Sequence, residues 1–273
     1  MNKFFLTVIA CIFFIGLHAQ DSTYNSYQQK LDKRKQKKER INRMLRMEEE
    51  GELIFNKHNI FGIKIATDGY GIFFEKGKFI TPAKTRLLQF ELNEKKSPKE
   101  KRISSGDIFG TSEILYKLNN FYSFKASIGE QRLIGGKGNK NGVAVTWLYT
   151  GGVSIGLLKP YYYNTVILDT ANNTYYDGPQ KTLQQIINDT TAIYATNGGA
   201  GFTVGWNHLS IRPGLNLKTA LRFDYARFNT SVTAIEAGVS AEYYFSKIPQ
   251  VYAVPYKNFF FNGYVTIMFG SRK

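Results

Sequence analysis

Residues 209–225 alternate apolar and polar side chains without a break. Odd positions carry Leu209, Ile211, Pro213, Leu215, Leu217, Thr219, Leu221, Phe223 and Tyr225. Even positions carry Ser210, Arg212, Gly214, Asn216, Lys218, Ala220, Arg222 and Asp224. A period of two is the signature of a β-strand with two unlike faces. The run is about three times the length of a typical globular strand. A soluble sandwich rarely needs such a strand, whereas a tilted transmembrane strand of about 9–11 residues, prolonged beyond the bilayer, does.

The pattern recurs. Tyr122, Phe124, Ala126 and Ile128 alternate with Ser123, Lys125 and Ser127. Val143, Val145, Trp147 and Tyr149 alternate with Ala144, Thr146 and Thr150. Thr233, Ile235, Ala237, Val239, Ala241, Tyr243 and Phe245 oppose Ala234, Glu236, Gly238, Ser240 and Glu242. Near the end, Phe259, Phe261, Val265, Ile267 and Phe269 oppose Asn262, Tyr264 and Thr266. Apolar residues outside and small or polar ones inside describe an antiparallel up-and-down transmembrane β-barrel. Aromatics at strand ends (Tyr161 to Tyr163, Tyr243 to Phe245, Phe259 to Phe261) suit an interfacial girdle. Composition agrees: 21 Phe, 18 Tyr and 25 Gly accompany only 7 Pro in 273 residues.

Eight strands are expected, near 61–78, 86–95, 121–130, 143–157, 161–169, 209–228, 232–246 and 259–270. Inner connections then fall at 96–120, 158–160 and 229–231, and outer loops at 79–85, 131–142, 170–208 and 247–258. The long 96–120 connection fits this scheme poorly. The first strand also changes phase, from Phe61, Ile63 and Ile65 to Tyr70, Ile72 and Phe74, across Asp68-Gly69. A bulge preserves eight strands and is the preferred reading; a hairpin there makes nine, and parity then asks for ten.

The first nineteen residues read as a signal peptide: Lys3, then an apolar run from Phe4 to Leu17, then Ala19. The run is too short to span a bilayer. Its removal takes away Cys11, the chain's single cysteine, and leaves a mature charge of +14. One Cys and three His exclude a disulfide framework and leave little for a metal site. No cofactor or metal is expected. Residues 20–58 form a basic periplasmic leader ahead of a barrel at 59–273. From Lys30 to Arg46, nine Lys or Arg face only Asp32 and Glu39, a charge of +7, half of the mature excess. Helix formers dominate there. Lys33, Arg34, Lys35, Lys37, Lys38 and Arg40 are the candidate contacts to an anionic partner: a lipid headgroup, a cell-wall polymer or a periplasmic protein. Outer-membrane lipid is the other expected partner; export argues against nucleic acid.

Lys218, Arg222, Asp224, Glu236 and Glu242 all fall on inward positions, which predicts an interior ionic network. A turn centred near Thr230 sets Lys218 opposite Glu242 and Arg222 diagonal to Glu236. An eight-stranded barrel is just wide enough for its side chains to fill. The expected function is a non-enzymatic structural or protein-interaction role, with a narrow solute channel as the alternative. A lipid A-modifying hydrolase is the second alternative. It rests on His208-Leu209-Ser210, which resembles the His-x-Ser element of lipid A 3-O-deacylases. That family continues with Asn, where this chain has Ile211, and a carboxylate about fourteen residues on would fall at Arg222. Gly135 to Gly142 has the look of a phosphate loop, but Lys137 precedes Gly138, not Ser or Thr. Asp169-Thr170-Ala171 and Asp189-Thr190-Thr191 match a bacterial O-glycosylation tripeptide.

The barrel region as a whole resembles the small outer-membrane β-barrel proteins of Bacteroidota. The likeness lies in the signal ending Ala19-Gln20, the Thr67 to Gly71 and Arg132 to Gly142 stretches, Leu221 to Tyr225 and the Phe-rich last strand. It implies a fold and a location in the outer membrane, with the mature N-terminus in the periplasm, and carries no activity. The chain departs from proteobacterial barrels in ending Gly270-Ser-Arg-Lys273 without a terminal aromatic.

Overall fold

The computed structural model describes residues 28–39, 41–42, 56–81, 83–104, 112–138, 141–226 and 230–273. The signal segment, Arg40, Arg43 and Arg46 lie outside them. Residues 28–39 and 41–42 are helical, and from 32 onward their side chains are exposed.

The strands in chain order are β1 (Lys57–Ala66), β2 (Gly69–Thr81), β3 (Lys84–Lys95), β4 (Arg102–Ser104), β5 (Ser112–Ile114), β6 (Asn119–Gly135), β7 (Ala144–Pro160), β8 (Tyr162–Asp169), β9 (Thr174–Asp177), β10 (Lys181–Thr182), β11 (Ile193–Gly199), β12 (Ser210–Asp224), β13 (Ser231–Ile248) and β14 (Lys257–Arg272). Eight of them close into an antiparallel barrel in the order β1-β14-β13-β12-β7-β6-β3-β2. Closure satisfies every strand edge, which a bilayer demands of any sheet. No described helix is long and apolar enough to cross a membrane.

The count of eight stands, but two of its members differ from expectation. Asp68-Gly69 is a hairpin, with Ile65 paired to Tyr70 and Ile63 to Ile72. Directly opposed residues share a face, so a two-residue turn at Thr67-Asp68 moves the outward set from odd to even positions. A bulge would have had the same effect on the pattern. Gly69 is required there: its φ is +155°, and a Cβ would sit 1.9 Å from the Glu94 carbonyl oxygen. Residues 161–169 leave the barrel, because β8 pairs instead with β9, β10 and β11.

The two differences cancel in number and not in direction. β2 and β3, β6 and β7, and β12 and β13 are joined at the end of the barrel that holds Lys57 and Lys273. β1 and β2, β3 and β6, β7 and β12, and β13 and β14 are joined at the opposite, long-loop end. So 79–85 and 131–142 change ends relative to expectation, and so does 96–120. Its length ceases to be an anomaly, for it joins the other long loops.

Register fixes the barrel's shape. Pairs lead from Lys57 through Lys78, Arg86, Glu130, Tyr149, Thr219 and Val239 to Gly263, which lies level with Thr67. The stagger from 57 to 67 is ten residues, which corresponds to a strand tilt of about 40°. The outward faces carry exposed Phe61, Ile128, Val153, Leu217, Phe245 and Phe261. The inward faces bury Lys64, Glu75, Glu91, Arg222 and Glu236. That inversion of the soluble pattern is what lipid outside and a sealed core inside require.

Candidate functional site

Most charges of the barrel interior form one connected set. Arg222 on β12 reaches across to Glu75 on β2, with its two terminal nitrogens 2.7 and 2.6 Å from the two carboxylate oxygens. It also donates to Glu236 on β13 at 3.1 and 2.8 Å, and to Gln131 at 2.9 Å. Tyr264 donates to the other Glu236 oxygen at 2.7 Å, and His58 Nε2 lies 2.8 Å from Glu75. Lys218 lies 3.4 Å from Glu236 and donates to Glu91 at 2.9 Å. Lys64 and Lys125 meet Glu91 at 3.0 and 3.2 Å. Lys125 also meets Glu242 at 2.7 Å, and Lys95 bridges Glu242 at 2.9 Å to Asp68 at 2.7 Å. An unbroken chain of contacts therefore runs from His58 near the termini to Asp68 in the long-loop-end turn.

Two-residue periodicity is what aims these groups inward, and the pairing register decides who meets whom. All five interior residues named from the sequence lie inside the barrel. Their partners differ from expectation. Arg222 stands directly opposite Glu236, Lys218 opposite Ser240, and Glu242 opposite Asn216. The Lys218–Glu242 pairing is thus corrected by a slip of two residues in the β12–β13 register. Lys218 finds Glu91 and Glu236 instead, and Glu242 finds Lys95 and Lys125. Asp224 pairs with Arg272, with Lys137 at 3.9 Å. The reading from sequence missed Lys64, Asp68, Glu75, Glu91, Lys95, Lys125 and Arg272. The same alternation marks all but the turn residue Asp68, on β1, β2, β3, β6 and β14, but they come from strands distant in sequence.

Apolar clusters bracket the charges. Ile60, Phe73, Val232, Ala234 and Met268 pack toward the terminal end, and Phe121, Leu158, Tyr244 and Ile248 toward the other. A void of about 10 Å³ beside Lys64, Lys95, Lys125 and Glu242 has room for about one water. Lys137, from the supposed phosphate loop, is buried and donates to the Ala226 carbonyl. Burial pushes its ammonium below the usual lysine value. It helps close the terminal end, with its ammonium on a backbone carbonyl.

The long-loop end carries a cap. β8 is flanked by β10 and β11 and also pairs with β9, while β4 pairs with β5. A short helix, Leu183–Asn188, starts on a capping box between Thr182 and Gln185. Tyr163, Leu118 and Leu183 form the cap's buried cluster, with Tyr161 against it. Tyr161 to Tyr163 are therefore cap residues rather than a membrane girdle. Tyr163 Oη accepts the Lys117 N–H at 2.7 Å and donates to the Ile114 carbonyl at 2.8 Å. Burial raises both the Tyr161 and Tyr163 phenols. Lys117 pairs with Glu100 at 2.8 Å. Lys159 donates to the carbonyls of Phe202 and Val204 at 2.6 and 3.1 Å, between the rings of Phe202 and Trp206. Trp206 in turn stacks on Tyr122, which fastens 202–206 to the barrel wall.

Both glycosylation-like tripeptides are turns held by their own aspartates. Asp169 accepts the Ala171 N–H at 2.9 Å, and Asp189 accepts that of Thr191 at 3.0 Å. Lys181 and Thr191 hold the Asp189 carboxyl well below the usual carboxylate range, and Asp189 and Tyr194 raise Lys181 in return. Tyr175, Tyr176 and Ile193 are exposed on the cap.

His208 and Ser210 do not come together as nucleophile and base. The His208 Nδ1 lies 3.4 Å from the Tyr162 hydroxyl, and Ser210 opens β12 facing solvent. Among the described residues no cluster of three or more metal-ligating side chains occurs.

No protein-family model matches the chain, and no curated protein sequence matches it. Among solved structures it is similar to Ail, the attachment invasion locus protein of Yersinia pestis, in complex with the heparin analogue sucrose octasulfate. Identity is 10%, the match covers 81% of this chain and 100% of that one, and the TM-score is 0.38. It is similar to Neisserial surface protein A at 10% identity, over 80% of this chain and 95% of that one, with a TM-score of 0.38. It is also similar to the N-terminal β-barrel domain of Pseudomonas aeruginosa OprF. There identity is 11%, coverage is 79% and 98%, and the TM-score is 0.35.

Arg222→Met will leave Glu75 and Glu236 buried against a lost guanidinium. We expect a loss of about 3–5 kcal/mol, read by urea unfolding in phospholipid bilayers. A loss below about 1 kcal/mol would show that the ion pairs are dispensable.

Proposed function

We propose that this protein is a closed outer-membrane barrel that serves as a scaffold, with a structural or protein-interaction role carried by what it holds at its two ends. The observation that supports this most is the ionic chain from His58 to Asp68. A conducting lumen would need those groups hydrated and apart, and here they are paired at hydrogen-bond distance across the barrel axis. Those pairs weigh against the solute-channel reading. The hydrolase reading has no assembled His208–Ser210 pair.

Orientation follows from loop length. Outer-membrane barrels keep short turns and both termini on the periplasmic side and long loops outside. In that setting the cap, with exposed Tyr175, Tyr176 and Ile193, faces the cell exterior. The basic leader then enters the periplasm. Its described cations Lys33, Arg34, Lys35, Lys37 and Lys38 are exposed along a helix, which suits an anionic periplasmic partner.

Two experiments test the reading. In planar bilayers the purified chain should give no stepwise conductance; discrete openings would overturn the closed-scaffold reading. Co-purification from detergent extracts, with and without residues 30–46, should show an acidic protein or polymer retained only by the longer form. Identical partner lists would remove the leader's proposed role.

A further inference from the structure

The outer surface of the barrel is not the same all the way round. On β1 the polar exterior positions Asn59 and Thr67 bracket Phe61, Ile63 and Ile65. On β3, Arg86 and Glu94 bracket Leu88, Phe90 and Leu92. With strands tilted about 40°, those brackets stand about 20 Å apart along the barrel axis. On β13 the brackets are Thr233 and Lys247, and on β14 they are Lys257 and Ser271. There the separation is about 35 Å. A typical barrel band is about 25 Å tall. The β1–β3 face is therefore too short for an undistorted bilayer, and the β13–β14 face is long enough.

The short face ends in cations. Lys57 pairs directly opposite Lys78, and Lys78 opposite Arg86, so three positive side chains stand in a row across β1, β2 and β3. Lys76 lies one outward position further along β2, and Lys273 closes the row from β14. Like charges directly opposed are unfavourable on their own. Glu130 follows Arg86 in the same row on β6, and its carboxylate is taken by Lys84 at 2.7 Å, with Arg132 at 3.9 Å. At the same end, among the described residues, β12 and β13 show Tyr225 and Thr233 and no such row. Beneath the cations lies a groove of about 490 Å³, whose lining includes Lys57, Lys76, Lys78, Arg86, Leu88 and Ile128. Its floor is apolar and its rim is basic.

We propose that this groove binds an anionic phospholipid of the leaflet on the terminal side. The phosphate would sit among Lys76, Lys78 and Arg86, and an acyl chain would lie over Leu88 and Ile128. The short band draws the headgroup layer toward the row, because a mismatched face is accommodated by local thinning of the bilayer. The bound phosphate then offsets the repulsion within the row. A second copy of this surface or the basic leader would add positive charge, which excludes both as occupants. The inference rests on the reading of the barrel as membrane-embedded.

The test uses the full chain in nanodiscs of mixed phosphatidylglycerol and phosphatidylcholine, with retained lipids counted by native mass spectrometry. The wild type should retain phosphatidylglycerol several-fold above its share of the bilayer. Lys76→Gln/Lys78→Gln/Arg86→Gln should retain lipid in proportion to the mixture. Lys96→Gln/Lys99→Gln/Lys257→Gln, the same charge change at the long-loop end, should behave as wild type. Proportional retention by the wild type, or equal loss in both variants, would overturn the site. With every cation intact, Leu88→Trp adds fluorescence that should be quenched more by brominated phosphatidylglycerol than by brominated phosphatidylcholine. Equal quenching would likewise overturn the site. Insertion into pure phosphatidylcholine discs separates the two readings: an inserted barrel without lipid preference defeats the groove alone, and a barrel that does not insert defeats the membrane reading.

Discussion

Charge neutrality inside a narrow, filled tube governs this structure. Asp68, Glu75, Glu91, Asp224, Glu236 and Glu242 share the interior with Lys64, Lys95, Lys125, Lys218, Arg222 and Arg272. An unpaired member would cost several kcal/mol, so the set constrains strand register as a whole. A slip by one residue on any strand would turn its charges into lipid and its Phe and Ile residues into the core. Because the ion pairs join β1, β2, β3, β6, β12, β13 and β14, they tie together strands far apart in the chain. Hydrogen-bonded edges close the wall, and the charges settle which residues face one another across it.

The wall was legible in the order of residues and the connections much less so. Alternation in 209–225, 233–245 and 259–269 is long enough to have one reading. Around Asp68-Gly69 it is not, since a bulge and a two-residue turn change phase alike, and only the pairing of Ile65 with Tyr70 separates them. Residues 161–169 carry the β-rich composition of a barrel strand. Nothing local says that Tyr163 packs on Leu118 and Leu183 instead. The interior partners were half legible: inward parity marks Arg222 and Glu236. The slip of Lys218 from Glu242 to Glu91 depends on turn geometry and on a strand more than a hundred residues away. Lys137 shows the converse, a motif-like loop whose lysine seals the barrel end.

The two ends of the barrel are built differently. At one end a small sheet is held by buried tyrosines and by Lys159 between two aromatic rings. At the other, Lys57, Lys78 and Arg86 form a basic rim. A filled barrel suits both, because rigidity fixes the position of whatever is displayed.

The central claim is that β12 presents lipid-facing and sealed positions in strict alternation, with its charges inward. Nitroxide side chains placed singly from 215 to 223 in bilayers, with collision rates to oxygen and to a water-soluble nickel chelate, test it most directly. The account predicts high oxygen contact at 215, 217, 221 and 223, and low contact with both reagents at 216, 218 and 222. Ready access of the nickel chelate to 218 and 222 would mean a water-filled lumen and would contradict it.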